Sequence, residues 1–175
     1  DDSTLGDVGK IVNGCEVKIV DGEIWAKSQS VMMGYYKNPE ATNEILTSDG
    51  WIRTGDLGYV EDNRIFITGR KKNLIILSNG ENVSPEEIEN KYAGSEWMSE
   101  ILVYAENGQI TAEIYPDKDF KGDVAEMFKQ KTAEINKTLS SAKAVRKLRI
   151  RDREFDKTAS KKIKRKQTGE KGKEI

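Results

Sequence analysis

In Gly69-Arg70-Lys71-Lys72-Asn73-Leu74-Ile75-Ile76-Leu77, which spans residues 69–77, the pattern of the sequence changes. Upstream, short β-branched and aromatic runs alternate with turn signals such as Asp21-Gly22, which predicts a small β-barrel or a distorted sandwich. Downstream, strands and longer helical patterns alternate, which predicts a compact α+β domain. We therefore expect an α+β protein with a β-rich subdomain over residues 1–70 and an α+β domain ending in a basic tail over residues 71–175.

The second half carries the clearest local signals. Ser84 is an N-cap candidate, with Pro85 at the first helical position and Glu87 three residues after the cap, and this capping box predicts a helix over residues 85–92. An apolar stripe predicts one long helix over residues 123–139. The other expected elements are a short helix over residues 39–46 and strands over residues 9–12, 16–20, 22–26, 51–53, 58–60, 64–68, 74–77, 100–105, 109–115 and 145–151.

The composition of the chain excludes some kinds of catalytic and metal-binding site. The 175 residues carry a formal net charge of −1 and include no histidine, so a triad or metal site that relies on imidazole is excluded within this chain, and no metal ligand is predicted. The single cysteine, Cys15, has no internal disulfide partner, which favours a reducing compartment, and we expect the cytoplasm. No apolar run is long enough to span a membrane. Because Asp1 stands where an initiator methionine would, we expect a piece of a longer protein.

Three local features could carry chemistry, and each also has a plain structural interpretation. The Asp56 carboxylate could accept two hydrogen bonds from a vicinal diol such as a ribose, or it could belong to a simple turn. Arg70 could present its guanidinium fork to ribose or phosphate oxygens, or it could be a charge at the end of a strand. The lysine-rich residues 157–165 could neutralise a phosphate or carboxylate, or form a solvated tail. Taken singly, these residues leave the alternatives open.

Taken together and in order, four motifs remove that ambiguity. They are Gly34-Tyr35-Tyr36-Lys37-Asn38-Pro39-Glu40-Ala41-Thr42, Gly50-Trp51-Ile52-Arg53-Thr54-Gly55-Asp56-Leu57-Gly58, Gly69-Arg70-Lys71-Lys72-Asn73-Leu74-Ile75 and Gly80-Glu81-Asn82-Val83-Ser84-Pro85-Glu86-Glu87-Ile88-Glu89. The series resembles the acyl-adenylate-forming superfamily, which contains acyl-CoA synthetases, luciferases and peptide-synthetase adenylation domains. The resemblance covers nearly the whole chain, and the late run Lys-Lys-Ile-Lys-Arg resembles some bacterial long-chain acyl-CoA synthetases.

The resemblance implies an architecture and a nucleotide site. In that superfamily a large N-terminal domain ends in a small β-barrel subdomain, and a hinge joins it to a mobile α+β lid. By motif match, Asp56 would bind the ribose hydroxyls of ATP and then AMP, and Arg70 would contact the same nucleotide. Ile67 would line its pocket. Lys72 would be the hinge residue.

The resemblance also implies two half-reactions, with ATP, Mg²⁺ and CoA as the small molecules involved. A carboxylic acid, a fatty acid by the resemblance to long-chain acyl-CoA synthetases, is first joined to the α-phosphate of ATP, and the CoA thiol then attacks the acyl-adenylate. Lys162 matches the lysine that lies between the two anions of the first step. Asn79 and Gly80 match the loop that faces the pantetheine channel in the second.

Two positions depart from the superfamily pattern. Lys161 stands where glycine is common, and Asp156 stands where proline is common. The catalytic lysine could therefore be Lys161 or Lys162, and Ile163, which follows Lys162 as in the pattern, favours Lys162. The phosphate loop, acyl pocket and main nucleotide pocket of the superfamily lie upstream of these motifs, in an N-terminal domain that would be the main partner. We therefore expect no adenylation by this chain alone.

The sequence is also compatible with two other functions. The chain could belong to an adenylation module that loads a carrier protein rather than CoA. It could also be a non-enzymatic module whose basic tail binds nucleic acid. However, the tail does not interleave basic with aromatic residues, which argues against the stacking of bases from a single strand. We therefore expect no nucleic-acid partner.

Overall fold

A computed structural model describes residues 7–167 and 171–175 of the chain. The backbone forms two compact units, Asp1–Lys72 and Asn73–Ile175, which we call unit 1 and unit 2. Together they contain helices and predominantly antiparallel sheets, which confirms the predicted α+β class. The boundary falls after Lys72, inside a short 3-10 turn over Lys71–Asn73.

Unit 1 is built on one five-stranded antiparallel sheet and one short helix. Its strands are β1 (Asp7–Lys10), β2 (Cys15–Val20), β3 (Glu23–Ser28), β4 (Ile52–Glu61) and β5 (Arg64–Arg70), and α1 covers Pro39–Ile45. The spatial order β1-β5-β4-β3-β2 leaves β1 and β2 as edges, so among the described residues the sheet does not close into the barrel that was one of the two expected forms. The reason is the pairing, because within residues 7–167 and 171–175 strand β1 bonds only to β5 and strand β2 bonds only to β3.

Strand β4 corrects a prediction made from its glycines. The sequence predicted two strands, residues 51–53 and 58–60, separated by a turn, but the chain runs as one strand of ten residues. Gly55 adopts a φ of +72° within it, and the pairing with β5 shifts register between Leu57 and Gly58. A bulge of this kind absorbs an extra residue without ending the strand. Gly58 must lack a side chain, because a Cβ there would lie 2.1 Å from the carbonyl oxygen of Phe66.

Unit 2 places helices against a four-stranded sheet of order β11-β10-β9-β8. Its elements are β6 (Ile75–Ile76), β7 (Asn82–Val83), α2 (Pro85–Lys91), β8 (Met98–Glu106), β9 (Gln109–Pro116), α3 (Val124–Lys137), β10 (Val145–Ile150) and β11 (Lys173–Glu174), with a 3-10 turn over Ser141–Lys143. The predicted N-cap at Ser84 is confirmed, since its side chain accepts a hydrogen bond from the Glu87 N–H, and Asp123 caps α3 in the same way. Only two residues of the strand expected over residues 74–77 pair as a strand.

The sheet of unit 2 has two different faces. Strand residues alternate between faces, so Val103 packs into the main core with Tyr92 and Phe128, whereas Leu102 packs on the opposite face. On that opposite face Leu102, Tyr115 and Phe155 form a small cluster, and Ile163 packs against it. The lysine-rich segment is therefore fixed to the sheet through its isoleucine. None of the described helices is long and apolar enough to cross a membrane.

Candidate functional site

Asp56 and Arg70 lie side by side in unit 1. They are register partners on β4 and β5, and Nε of Arg70 lies 2.8 Å from Oδ1 of Asp56. The Asp56 side chain is 21% exposed and that of Arg70 is 51% exposed, so the pair faces solvent from the sheet. The second Asp56 oxygen and the remaining Arg70 nitrogens are the groups that such a pair can offer to a hydroxyl or an anion. Ile67, half-buried, lies three residues before Arg70 on the same strand.

A buried carboxylate supports the backbone beside this pair. Glu23 accepts a hydrogen bond of 2.9 Å from the Gly55 N–H, and its other oxygen lies 2.9 Å from Nζ of Lys71. Burial alone would raise the pKa of Glu23, but the hydrogen bonds from Lys71 and Gly55 outweigh it and lower that pKa. A charged Glu23 thus holds the left-handed Gly55 in place, directly before Asp56. Local sequence patterns cannot reveal this role, because Glu23 is 32 residues from Gly55.

Lys72 and the Asn79–Gly80 loop occupy separate parts of the chain. Lys72 is exposed and is the last residue of unit 1. Asn79 and Gly80 form the tight turn between β6 and β7, in which Gly80 has a φ of +82° and donates its N–H to the Leu77 carbonyl at 2.9 Å. Among the described residues, no hydrogen bond or ion pair joins this loop to Lys162.

The lysine-rich segment folds as a small hairpin over residues 157–163, which we call the lysine hairpin. Lys157 pairs with Ile163, and the Thr158 N–H donates to the Lys162 carbonyl at 2.8 Å. The Lys161 N–H donates back to the Thr158 carbonyl at 2.9 Å, and Lys161 has a φ of +62°. A three-residue hairpin loop commonly ends in such a left-handed residue, a position that favours glycine. Of the two interpretations left open for this segment, the solvated tail is therefore not the one observed, because residues 157–163 form an ordered turn.

The cations of this region fall into two groups. Lys157 forms ion pairs with Glu100 and Glu154, and hydrogen bonds to these carboxylates raise its pKa. Arg165 forms ion pairs with Glu86 and Glu89 on α2. In contrast, Lys161 and Lys162 at the tip are exposed, and no carboxylate in the described part of the chain pairs with them. The ends of the hairpin are tethered and its tip is left available for an anion.

Comparison with known proteins gives a consistent result. The sequence model described as the AMP-binding enzyme C-terminal domain matches residues 72–174, more than half of the chain. The chain is similar to the long-chain-fatty-acid–CoA ligase FadD15 of Mycobacterium tuberculosis, with 32% identity over 97% of this chain and 33% of that protein. It is also similar to the peroxisomal long chain acyl-CoA synthetase 7 of Arabidopsis thaliana, with 35% identity over 71% of this chain and 20% of that protein.

A solved structure shows the same fold. The o-succinylbenzoate CoA synthetase of Bacillus subtilis, in complex with an acyl-adenylate intermediate, superposes with a TM-score of 0.78 and 30% identity over 96% of this chain and 37% of that chain. The chain thus spans about a third, or less, of the length of the curated relatives described above.

Proposed function

The chain belongs to the family of AMP-binding enzyme C-terminal domains, and on this basis we propose that it is the C-terminal part of an ATP-dependent acyl-CoA ligase. The ligase would adenylate a carboxylic acid, a fatty acid by the names of the similar proteins, and transfer the acyl group to CoA. The observation that carries the proposal is the lysine hairpin, whose tethered ends present an unpaired Lys162 at an exposed tip.

In the first half-reaction, a carboxylate oxygen attacks the α-phosphorus of ATP, the bond to the β-phosphate breaks, and pyrophosphate leaves. Two anions must approach each other, so a fixed ammonium group beside them stabilises the transition state. We assign that group to Lys162. Lys161 occupies the left-handed position of the turn, which corresponds to the glycine of the family pattern, and this supports Lys162 rather than its neighbour.

The remaining assignments follow the same logic. Asp56 would accept hydrogen bonds from the ribose hydroxyls through the oxygen that Arg70 leaves free, and Arg70 would contribute its outward nitrogens to the same nucleotide. Ile67 would line that pocket. Lys72 ends unit 1, which supports its role as the hinge residue, and the exposed Asn79–Gly80 turn would face the pantetheine arm of CoA in the second half-reaction.

Mg²⁺ accompanies ATP in the proposed reaction, but no group of three or more acidic or cysteine side chains among the described residues is arranged to hold a metal ion. We therefore assign Mg²⁺ no ligand among these described residues. We propose the cytoplasm as the compartment, on the basis of the single unpaired Cys15.

The test is product formation by the complete ligase. Incubated with ATP, a long-chain fatty acid and CoA, it should release AMP and pyrophosphate and form the acyl-CoA thioester. The 175-residue chain alone should show no acid-dependent exchange of pyrophosphate into ATP. Transfer to a phosphopantetheinylated carrier protein but not to CoA would replace the proposal with a carrier-loading module. Salt-dependent retention on DNA without any response to ATP would replace it with a nucleic-acid-binding module.

A further inference from the structure

Arg165 lies just after the lysine hairpin and makes the densest set of contacts near it. Its guanidinium forks onto Glu89, with Nη2 donating to Oε2 at 2.8 Å and Nη1 donating to Oε1, and Nη2 also lies 2.8 Å from Oε1 of Glu86. Such a forked pair fixes direction as well as distance, since both hydrogen bonds lie in the plane of the guanidinium. Because Ile163 packs on the sheet only two residues earlier, the hairpin is held on two sides.

The partner of Arg165 also caps the free edge of the sheet. Strand β8 lies at the edge, and the Val103 N–H, which would otherwise have no strand partner, donates to Oε1 of Glu89 at 2.7 Å. Nη1 of Arg165 in turn donates to the Val103 carbonyl at 3.4 Å. The Glu89–Arg165 pair therefore takes the place of a neighbouring strand at this position.

Glu86 extends the network to the beginning of unit 2. Its Oε1 accepts a hydrogen bond from Nδ2 of Asn73, the first residue of unit 2, and the same oxygen pairs with Arg165. Side-chain contacts therefore connect Asn73, helix α2 and the root of the lysine hairpin. Burial raises the pKa of the Glu89 carboxyl, although the hydrogen bonds from Arg165 and Val103 oppose it. Loss of Arg165 would thus leave a largely buried carboxylate without its counter-charge.

We propose that Arg165 is a positioning residue that fixes the lysine hairpin, and with it Lys162, against helix α2 and the edge of strand β8. This inference rests on the function proposed above for its catalytic consequence, but its structural half stands on the contacts alone. Because a catalytic group misplaced by about 1 Å can lose on the order of 100-fold in rate, the fork would affect the chemistry through the position of Lys162.

The first experiment measures amide hydrogen exchange in the 175-residue chain. In Arg165→Gln, the Thr158 amide, which donates to Lys162 in the hairpin, should exchange about tenfold faster, whereas the amides of β9 should be unchanged. If the unpaired Glu89 destabilises that variant, the double variant Arg165→Gln/Glu89→Gln removes the buried charge and should still show the fast hairpin amide. Arg149→Gln is the matched control, because Arg149 forks onto Glu106 elsewhere in unit 2. Wild-type exchange at Thr158 in both Arg165 variants would overturn the inference, as would equal acceleration throughout unit 2 in the double variant.

The second experiment separates the half-reactions of the complete ligase. Arg165→Gln and the double variant should lower pyrophosphate exchange by about 30- to 100-fold while changing thioester formation from preformed acyl-adenylate by less than about threefold. Arg149→Gln should leave the ratio of the two rates unchanged. Equal loss of both half-reactions in the double variant, or loss of neither, would overturn the positioning role. If the wild-type ligase lacks acid-dependent exchange altogether, the proposed function fails, and the hydrogen-exchange result still decides the structural half.

Discussion

The Asp56–Arg70 pair of unit 1 and the lysine hairpin of unit 2 present charge in opposite ways. Asp56 and Arg70 lie opposite each other on two paired strands, and each already neutralises the other at 2.8 Å. Lys161 and Lys162 lie at the tip of a turn, where no acidic group in the described part of the chain pairs with them. The first arrangement is preorganised and partly satisfied before a ligand binds. The second arrangement leaves its charge without a neutralising partner among the described residues.

This difference has a physical basis. A ribose offers hydroxyl groups that donate to and accept from a fixed ion pair, so the pair loses little when the nucleotide binds. A transition state in which two anions meet needs net positive charge, and an ammonium group already paired with a carboxylate would supply less of it. Under the proposed function the hairpin would meet that need, because Lys157 at its start and Arg165 just after it form ion pairs while the tip does not.

The largest expected effect is that of Lys162→Ala in the complete ligase. Loss of the unpaired ammonium group should lower pyrophosphate exchange by about 100- to 1,000-fold, the usual consequence of removing one preorganised group that stabilises a charged transition state. Thioester formation from preformed acyl-adenylate should remain within about fivefold of wild type, because the anions have already been joined. Rates of both half-reactions, measured on one preparation, check this. Equal loss in both would show that the hairpin serves folding rather than charge stabilisation.

Asp56→Ala should come next. A ribose that loses hydrogen bonds to a charged acceptor loses about 1.5–3 kcal/mol, so the affinity of the complete ligase for AMP should fall by roughly 10- to 150-fold. Stability should change little, since Arg70, which would lose its partner, is exposed. Titration calorimetry with AMP gives the affinity. Glu61→Ala, on the same strand and exposed, is the control and should bind AMP as the wild type does. Unchanged affinity in Asp56→Ala would remove this residue from the nucleotide site.

Gly58→Ala tests the pairing of β4 and β5, the two strands that carry Asp56 and Arg70. The added Cβ would lie 2.1 Å from the Phe66 carbonyl oxygen, so β4 and β5 must separate or shift. We expect a loss of about 1–3 kcal/mol in the free energy of unfolding of unit 1, as for other overpacked sites. Denaturant unfolding followed by tryptophan fluorescence measures it. Val60→Ala, a partly exposed position on the same strand, should cost much less. Equal costs would mean that the register of these strands tolerates a side chain at residue 58.

Lys161→Gly should have the smallest effect, and its sign is informative. A non-glycine residue at a φ of +62° costs about 1–2 kcal/mol, and the greater unfolded-state entropy of glycine offsets part of the gain. We expect unit 2 to become more stable by about 0.5–1 kcal/mol. Lys164→Gly, in the same basic run but without a left-handed φ, should instead lose a similar amount. A loss of stability in Lys161→Gly would show that the side chain of Lys161 makes an unrecognised favourable contact.

The sequence could predict those features that depend on neighbours in the chain. The helices at Pro85 and Val124 begin where Ser84 and Asp123 cap them, because an N-cap bonds within its own turn. The ordered motifs also identified the family. The continuity of β4 could not be predicted, because its bulge depends on how β5 pairs with it. Nor could β11, a strand of only two residues that pairs with β10 in an otherwise basic tail.

The residues that support the site could not be predicted from local sequence patterns either. Glu23 and Gly55 are 32 residues apart, and Glu89 and Arg165 are 76 residues apart. Judged from the sequence alone, each of these residues is an ordinary charged residue or turn residue. Only the fold shows that Glu23 holds the backbone before Asp56, or that Arg165 joins α2 to the hairpin. Candidate binding residues are thus easier to identify from motifs than the residues that support them.

We propose that the hairpin turn gives Lys161 the glycine position and leaves Lys162 as the acting ammonium group. The most direct test is the single-turnover rate of acyl-adenylate formation by the complete ligase, measured for Lys161→Ala and Lys162→Ala side by side at saturating ATP. We predict that Lys161→Ala stays within about threefold of wild type, while Lys162→Ala loses at least about 100-fold. The reverse result, a large loss in Lys161→Ala with near wild-type rates in Lys162→Ala, would contradict the assignment.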